Sequence, residues 1–284
     1  MTDHPALSSM DVATLVRVPT PSDDKYSRGV VGFVTGSTQY PGAAVLGVEA
    51  ALRTGVGMAR YLGPARPTEL VLQRRPEAVT APGRVQAWVV GSGIASVSDP
   101  GDEEAVQRVR AALESGHPMV MDAGAIEHDA ITRATAAGAP VVVTPHAGEL
   151  ARLLNRDRSA VLADPLGSAR EAAERFGVVV LLKGSITRAV SPTGHVIEAR
   201  SAPAWLATAG AGDALAGILG ALLATHTVDL EHDDDRTLLT RLAAGAAVIH
   251  GLAAERASAG GPLTVLDLCA AISPVIAELV ADRS

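Results

Sequence analysis

The chain has 284 residues, 48% of them apolar and only 2% aromatic, and its 24 basic and 31 acidic side chains give a formal charge of −7. The acidic balance, with no basic cluster, argues against a general nucleic-acid binder, and the few aromatic side chains leave little for bases to stack on. A lone Cys269 excludes intrachain disulfides and multi-cysteine metal sites, while no uninterrupted apolar run reaches the roughly 18 residues of a membrane span, so the expectation is a cytoplasmic protein with no membrane partner. Residues 1–27 show no sustained period and hold Pro19, Pro21, Ser22, Asp23 and Asp24, which predicts a lead-in with one short helix over 11–16. From Gly29 onward, short β-branched runs alternate with amphipathic ones: 30–35 then 43–54, 85–90 then 103–114, 119–122 then 131–137, 141–144 then 148–154 and 168–176, and finally 178–182. The short runs are apolar almost throughout, as strands buried on both faces should be, and the alternation predicts a mostly parallel α/β sheet. Residues 186–190 and 195–199 flank Ser191, Pro192, Thr193 and Gly194, the pattern of an antiparallel hairpin extending that sheet. Helices are expected over 212–225, 238–256 and 266–281, with the acidic stretch 229–236 read as a solvated loop. No repeat or linker divides the chain, so residues 28–284 are read as one domain.

Several phosphate-binding signatures are missing. Neither Lys25 nor Lys183 is followed by Ser or Thr, so there is no Walker-type loop, and the pairs Gly91/Gly93 and Gly210/Gly212 lack the third glycine of a dinucleotide fingerprint. The segment 207–217 offers another device: Gly210 and Gly212 precede an apolar helical run, so backbone N–H groups at its start can face an anion. Asp213 in the same turn can accept the proton of a substrate hydroxyl as that hydroxyl attacks a phosphoryl group; capping the helix is an equal reading of the spacing alone. Four more segments follow predicted strands, where open parallel sheets bind ligands: Thr35-Gly36-Ser37 with Gly42-Ala43, Gly91-Ser92-Gly93, Thr144-Pro145-His146 through Glu149, and Lys183-Gly184-Ser185-Ile186-Thr187. Taken singly each is an ordinary turn; their convergence on one end of the sheet predicts a shared crevice.

The ordered set Gly36-Ser37, Gly42-Ala43, Gly91-x-Gly93, Asp122-Ala123, Thr144-Pro145-His146-x-Gly148-Glu149, Leu182-Lys183-Gly184 and Ala207-Thr208-x-Gly210-x-Gly212-Asp213 resembles the ADP-dependent NAD(P)H-hydrate dehydratases of the ribokinase-like superfamily. The resemblance runs from about Arg28 to the C-terminus. It implies a ribokinase-like fold and repair of NADH or NADPH hydrated at C6 of the nicotinamide ring, with ADP converted to AMP and phosphate. On this resemblance Asp213 is the catalytic base and touches the hydrate. Ala43, Gly93 and His146 line the hydrate's pocket, and Lys183, Gly184, Ser185, Ile186, Thr187 and Gly212 bind the adenine nucleotide. Mg2+ is expected on the nucleotide's phosphates, with no metal ligands from the protein, and the family suggests a homotetramer.

Three segments depart from the family's pattern. Where G-P-G-L-G is usual the chain has Gly91-Ser92-Gly93-Ile94-Ala95, and where D-A-D-A-L is usual it has Asp122-Ala123-Gly124-Ala125-Ile126. The usual G-N-x-x-M-A-T is replaced by residues 202–208, in which Trp205 can face a nucleotide ring or pack, packing being the preferred reading. Two other functions stay open on the residues: an ATP-dependent kinase of a small alcohol such as a thiazole or pyrimidine vitamin precursor, and a nucleotide-binding remnant without turnover.

Overall fold

The computed structural model describes residues 4–98, 103–199 and 202–282. In chain order the elements are α1 (Ser9–Thr14), β1 (Val30–Val34), α2 (Gly42–Thr54), β2 (Met58–Tyr61), α3 (Ala65–Arg74), β3 (Ala87–Val90), α4 (Glu103–Leu113), β4 (Met119–Met121), α5 (His128–Ala136) and β5 (Val141–Val143). They continue with α6 (Ala147–Leu154), α7 (Arg158–Ala163), α8 (Pro165–Phe176), β6 (Val179–Leu182), β7 (Thr187–Val190), β8 (Val196–Ala199), α9 (Ala211–Thr225), α10 (Thr227–Leu230), α11 (Thr237–Ser258) and α12 (Val265–Ala281). The eight strands form one sheet in the order β2-β1-β3-β4-β5-β6-β7-β8, parallel from β2 to β6 and antiparallel at β7 and β8. This is the mostly parallel sheet with a hairpin extension that the residue pattern predicts, and it accords with the ribokinase-like fold that the resemblance implies.

Each apolar run divides its side chains between two cores. Val31 and Phe33 of β1, Ala87 and Val89 of β3 and Val179 and Leu181 of β6 point toward the side covered by α2, α9, α11 and α12. Val34, Trp88, Val90, Val180 and Leu182 point to the other side, under α4, α5, α6 and α8. A strand with helices on both faces has no polar face to show, which is why these runs lack alternation. Helix α11 is long and apolar enough by length and composition to cross a membrane, yet most of it is buried inside the fold. The N-terminal helix lies at 9–14, earlier than the expected 11–16, because Ser8 and Asp11 close a capping box. Val12, Ala13, Leu15 and Val16 join the core beneath α11 and α12, so part of the lead-in belongs to the packed body.

The residue pattern misses β2, α3, α7 and the short α10. In β2 the buried Arg60 interrupts the apolar run; its guanidinium is satisfied by the carbonyls of Ala81 and Arg84, a pairing no local pattern announces. Helix α3 starts after Pro64 and carries Pro67 in its first turn, where proline is tolerated but reads as a breaker. The acidic stretch 229–236 is only partly a solvated loop. Asp233 is buried and accepts hydrogen bonds from the backbone N–H groups of Leu238 and Leu239 at 2.9 and 2.8 Å, tying down the start of α11.

Candidate active site

The parallel strands all end on one side, and the segments singled out in the sequence sit there. The chain leaves β1 toward β2 and returns to β3 on the other flank, which makes the gap between β1 and β3 the switch point where open sheets bind ligands. The loops on either side of that gap are joined by the Gly36 N–H, which donates to the Ser92 carbonyl at 2.7 Å. Gly93 adopts a left-handed backbone with φ of +69°, and a Cβ there would stand 2.6 Å from the Cβ of Ala43. These two predicted hydrate-contacting residues are therefore neighbours, and only glycine allows the approach.

Across the sheet, the Lys183 N–H donates to the Pro145 carbonyl at 2.8 Å, which sets His146 beside Lys183. His146 caps α6: its Nδ1 accepts hydrogen bonds from the N–H groups of Gly148 and Glu149 at 3.0 and 3.1 Å, and the Glu149 carboxylate accepts from the His146 N–H at 2.8 Å. With Nδ1 accepting, the ring proton of the neutral imidazole is on Nε2, and the exposed ring can offer it to a ligand. Gly184 and Ser185 are exposed in the connection to β7, with Ile186 and Thr187 half-buried at its far end.

Asp122, at the end of β4, organises the centre. It is 3% exposed and accepts hydrogen bonds from Ser92 Oγ at 3.0 Å, Thr144 Oγ1 at 2.7 Å and Lys183 Nζ at 2.8 Å. Burial works against its charge, but the Lys183 ammonium and the three donors hold its carboxyl below the usual range. Burial likewise works against the Lys183 charge, and Asp122 and Glu149, the latter 3.8 Å away, hold it protonated. Lys183 Nζ lies 3.5 Å from where a Cβ on Gly212 would stand, so the cation is held at the start of α9.

Asp213 occupies the first turn of α9, behind Gly210 in a left-handed cap. It makes no capping hydrogen bond to that helix, so the capping alternative is not realised. The side chain is half-buried, and burial, reinforced by the charge of Asp122 and only partly offset by Lys183, pushes its carboxyl up to about 7. A carboxyl poised near neutrality suits a general base. Beneath it His250 of α11 is buried, with Nε2 unpaired and its imidazolium pushed down to about 4 by burial, so the ring is neutral.

The structure thus groups Ala43 with Gly93 on one flank, His146 and the Lys183–Thr187 connection on the other, and Gly212 and Asp213 in α9. Asp122, Ser92, Thr144 and Glu149 lie within the sequence motifs, yet no local pattern there gives them a role, and nothing in the sequence around His250 marks it for this site. The first four come from the segments that follow three different strands, β3, β4 and β5, so only the strand order unites them. Trp205 is 51% exposed on a turn at 204–206, which corrects its reading as a packing residue: it is the neighbouring Leu206 that packs against the core, leaving the Trp205 side chain toward the surface. The two departures near β3 and β4 fit each other. A Cβ on Gly124 would stand 2.2 Å from the Ile94 carbonyl, so an acid in its place would collide with the 91–97 loop, and Ala95 keeps an ordinary negative φ, so no glycine is required there.

The chain matches the NAD(P)H-hydrate dehydratase family over residues 31–274. It is 42% identical over 231 residues to the bifunctional NAD(P)H-hydrate repair enzyme Nnr of Mycobacterium tuberculosis, an alignment covering 79% of this chain and 47% of that protein. The chain thus spans about half the length of such bifunctional relatives. It is 34% identical to the ADP-dependent (S)-NAD(P)H-hydrate dehydratase of Xanthomonas campestris, over 73% of this chain and 76% of that one. Its fold is similar to the crystal structure of ADP/ATP-dependent NAD(P)H-hydrate dehydratase from Bacillus subtilis, co-crystallized with ATP/Mg2+, with a TM-score of 0.82 and 22% identity over 98% of this chain and all of that one. Motif order, sheet topology and these similarities agree: the chain belongs to the NAD(P)H-hydrate dehydratase family.

Proposed function

We propose that this protein dehydrates C6-hydrated NADH and NADPH back to the reduced dinucleotides, converting ADP to AMP and phosphate. The observation that carries the reading is Asp213: a carboxylate raised to about 7, in the first turn of α9 and close to the Lys183 ammonium. In this reading the ADP phosphates meet the N–H groups at Gly212 and the charge of Lys183, and the nucleotide extends along residues 183–187. The hydrated ring lies between Ala43, Gly93 and His146, with its hydroxyl against Asp213.

Asp213 accepts the hydroxyl proton while the hydroxyl oxygen bonds to the terminal phosphorus of ADP and the bond to the bridging oxygen breaks, releasing AMP. The ring then carries a phosphate ester, a far better leaving group than hydroxide. Loss of that phosphate with its bonding pair, and of a proton from the adjacent carbon, restores the ring double bond. The Asp122 network keeps Lys183 charged and directed at the phosphates throughout. In this reading Mg2+ is carried on the nucleotide's phosphates, beside the Lys183 ammonium and the Gly212 N–H, without a dedicated set of protein ligands. When bound, the ion would offset phosphate charge.

We further propose that residues 28–284 work as one domain in a cytoplasmic homotetramer. Incubating the protein with hydrated NADH, Mg2+ and ADP should restore the reduced-nicotinamide absorbance. Formation of a stable phosphorylated alcohol from ATP and a thiazole or pyrimidine alcohol, with no dehydration, would favour a vitamin-precursor kinase. Nucleotide binding without turnover of any substrate would favour a remnant.

A further inference from the structure

A cavity of about 400 Å³ opens at the carboxyl ends of β1 and β3, and none of the residues assigned above lines it. Its volume lies within the range of about 300–1,000 Å³ usual for small-molecule sites. The 35–40 loop forms one wall, Ile94 and Ala95 another, and Arg108 of α4 closes it.

Three features give the cavity a ligand preference. Arg108 is the one charged side chain among its described lining residues, and that side chain is 17% exposed. Thr35 lines the cavity and is 2% exposed, and its Oγ1 is buried with no hydrogen-bond partner. Ser37, Thr38 and Gln39 add further polar groups. The ion pair of Arg108 with Glu104, at 2.5 Å, joins it to a carboxylate that is 82% exposed, so water can take over the carboxylate when the guanidinium turns to a ligand.

Position selects which ligand. A Cβ on Gly93 would stand 2.9 Å from the Tyr40 carbonyl and 3.1 Å from Gly36 Cα, both on the cavity wall, as well as touching Ala43. The cavity therefore shares a wall with the proposed hydrate pocket. Lys183 follows β6, four strand spacings from β1, or about 19 Å away, so the ADP bound there cannot also fill the cavity. An extended dinucleotide with its ring at Asp213 has a second nucleotide to house on this flank.

We propose that this cavity receives the adenylate half of the hydrated dinucleotide and that Arg108 pairs with a phosphate of that half, setting affinity for the dinucleotide and not for ADP. The inference rests on the dinucleotide hydrate being the substrate. Arg108→Ala should raise the KM for hydrated NADH, hydrated NADPH or both by roughly ten- to a hundredfold, the loss expected for one charge-assisted phosphate contact. The KM for ADP should stay within twofold, Arg108→Lys should recover part of the loss, and Thr35→Val should produce a smaller rise. A rise confined to hydrated NADPH identifies the 2′-phosphate as the group read; equal rises identify the pyrophosphate.

Calorimetric titration of NADH and NADPH onto wild type and Arg108→Ala, with melting temperature as the folding control, separates this inference from the catalytic reading. Weaker dinucleotide binding by the variant supports the cavity assignment even if the wild type fails to dehydrate the hydrate. Normal turnover with unchanged KM and unchanged binding overturns the assignment alone. A rise in the KM for ADP, or no dinucleotide binding by the wild type, overturns it as well.

Discussion

A carboxylate in the first turn of a helix ordinarily titrates low, because the dipole favours its charge. Asp213 departs from this through burial and the neighbouring Asp122, which together outweigh Lys183. If Asp213 is the base, as proposed, it must be unprotonated, so kcat/KM for the hydrate should fall about tenfold per pH unit below about 7, a limb that a pH–rate profile would locate. The same shift has a stability consequence. A carboxyl raised on folding contributes stability below its unfolded value near 3.8 and loses it as pH rises through about 7. Asp213→Asn should therefore melt higher than wild type at pH 8, and the difference should shrink toward pH 4. Lys183→Ala should weaken ADP binding about tenfold or more in an equilibrium titration, because it removes the cation proposed to meet the phosphates and leaves Asp122 buried without its main partner. Asp213 and Lys183 were legible in the sequence because each sits in a local motif. The Asp122 network was not, since its partners lie 22, 30 and 61 residues away and meet only through strand order.

At the level of elements, the β1-α2 and β3-α4 units read clearly because apolar periodicity changes sharply between strand and helix. The β2-α3 unit did not, and its carboxylate partner explains part of the reason. Glu49 of α2 is fully buried and bonded to Arg53, Arg74 and Arg75, so α3 is held by charge as well as by an apolar face. Burial opposes the Glu49 charge, but the three guanidinium groups outweigh it and hold the carboxyl down at about 2. Its stabilising contribution is present above its ordinary value near 4.5 and is lost as pH falls toward 2. Glu49→Gln should cost about 3 kcal/mol in urea denaturation at neutral pH, the lower end for breaking a buried ion pair, since the guanidinium groups can still reach water. Gly124→Asp, which restores the acid usual in the family, should destabilise the fold by about 1–3 kcal/mol through its collision with Ile94, and a thermal melt would register it.

For the whole molecule, the fold class was readable from near-continuous apolar strands alternating with amphipathic helices, and the hairpin from its turn residues. Strand order was not, because a buried parallel strand carries no record of its neighbours. That order gives the molecule its function: it gathers β1, β3, β4, β5 and β6 so that their following loops and the start of α9 border one crevice, with the switch-point cavity at one end and Lys183 at the other. The central claim is that this crevice couples phosphoryl transfer from ADP to dehydration through Asp213. It is tested most directly by following restored reduced-nicotinamide absorbance and AMP release together, for wild type and Asp213→Ala with hydrated NADH, Mg2+ and ADP. The account predicts equal amounts of both products from the wild type, and a variant that still binds ADP while losing at least about a hundredfold in rate. Equal rates for the two proteins, or AMP release without restored absorbance, would contradict it.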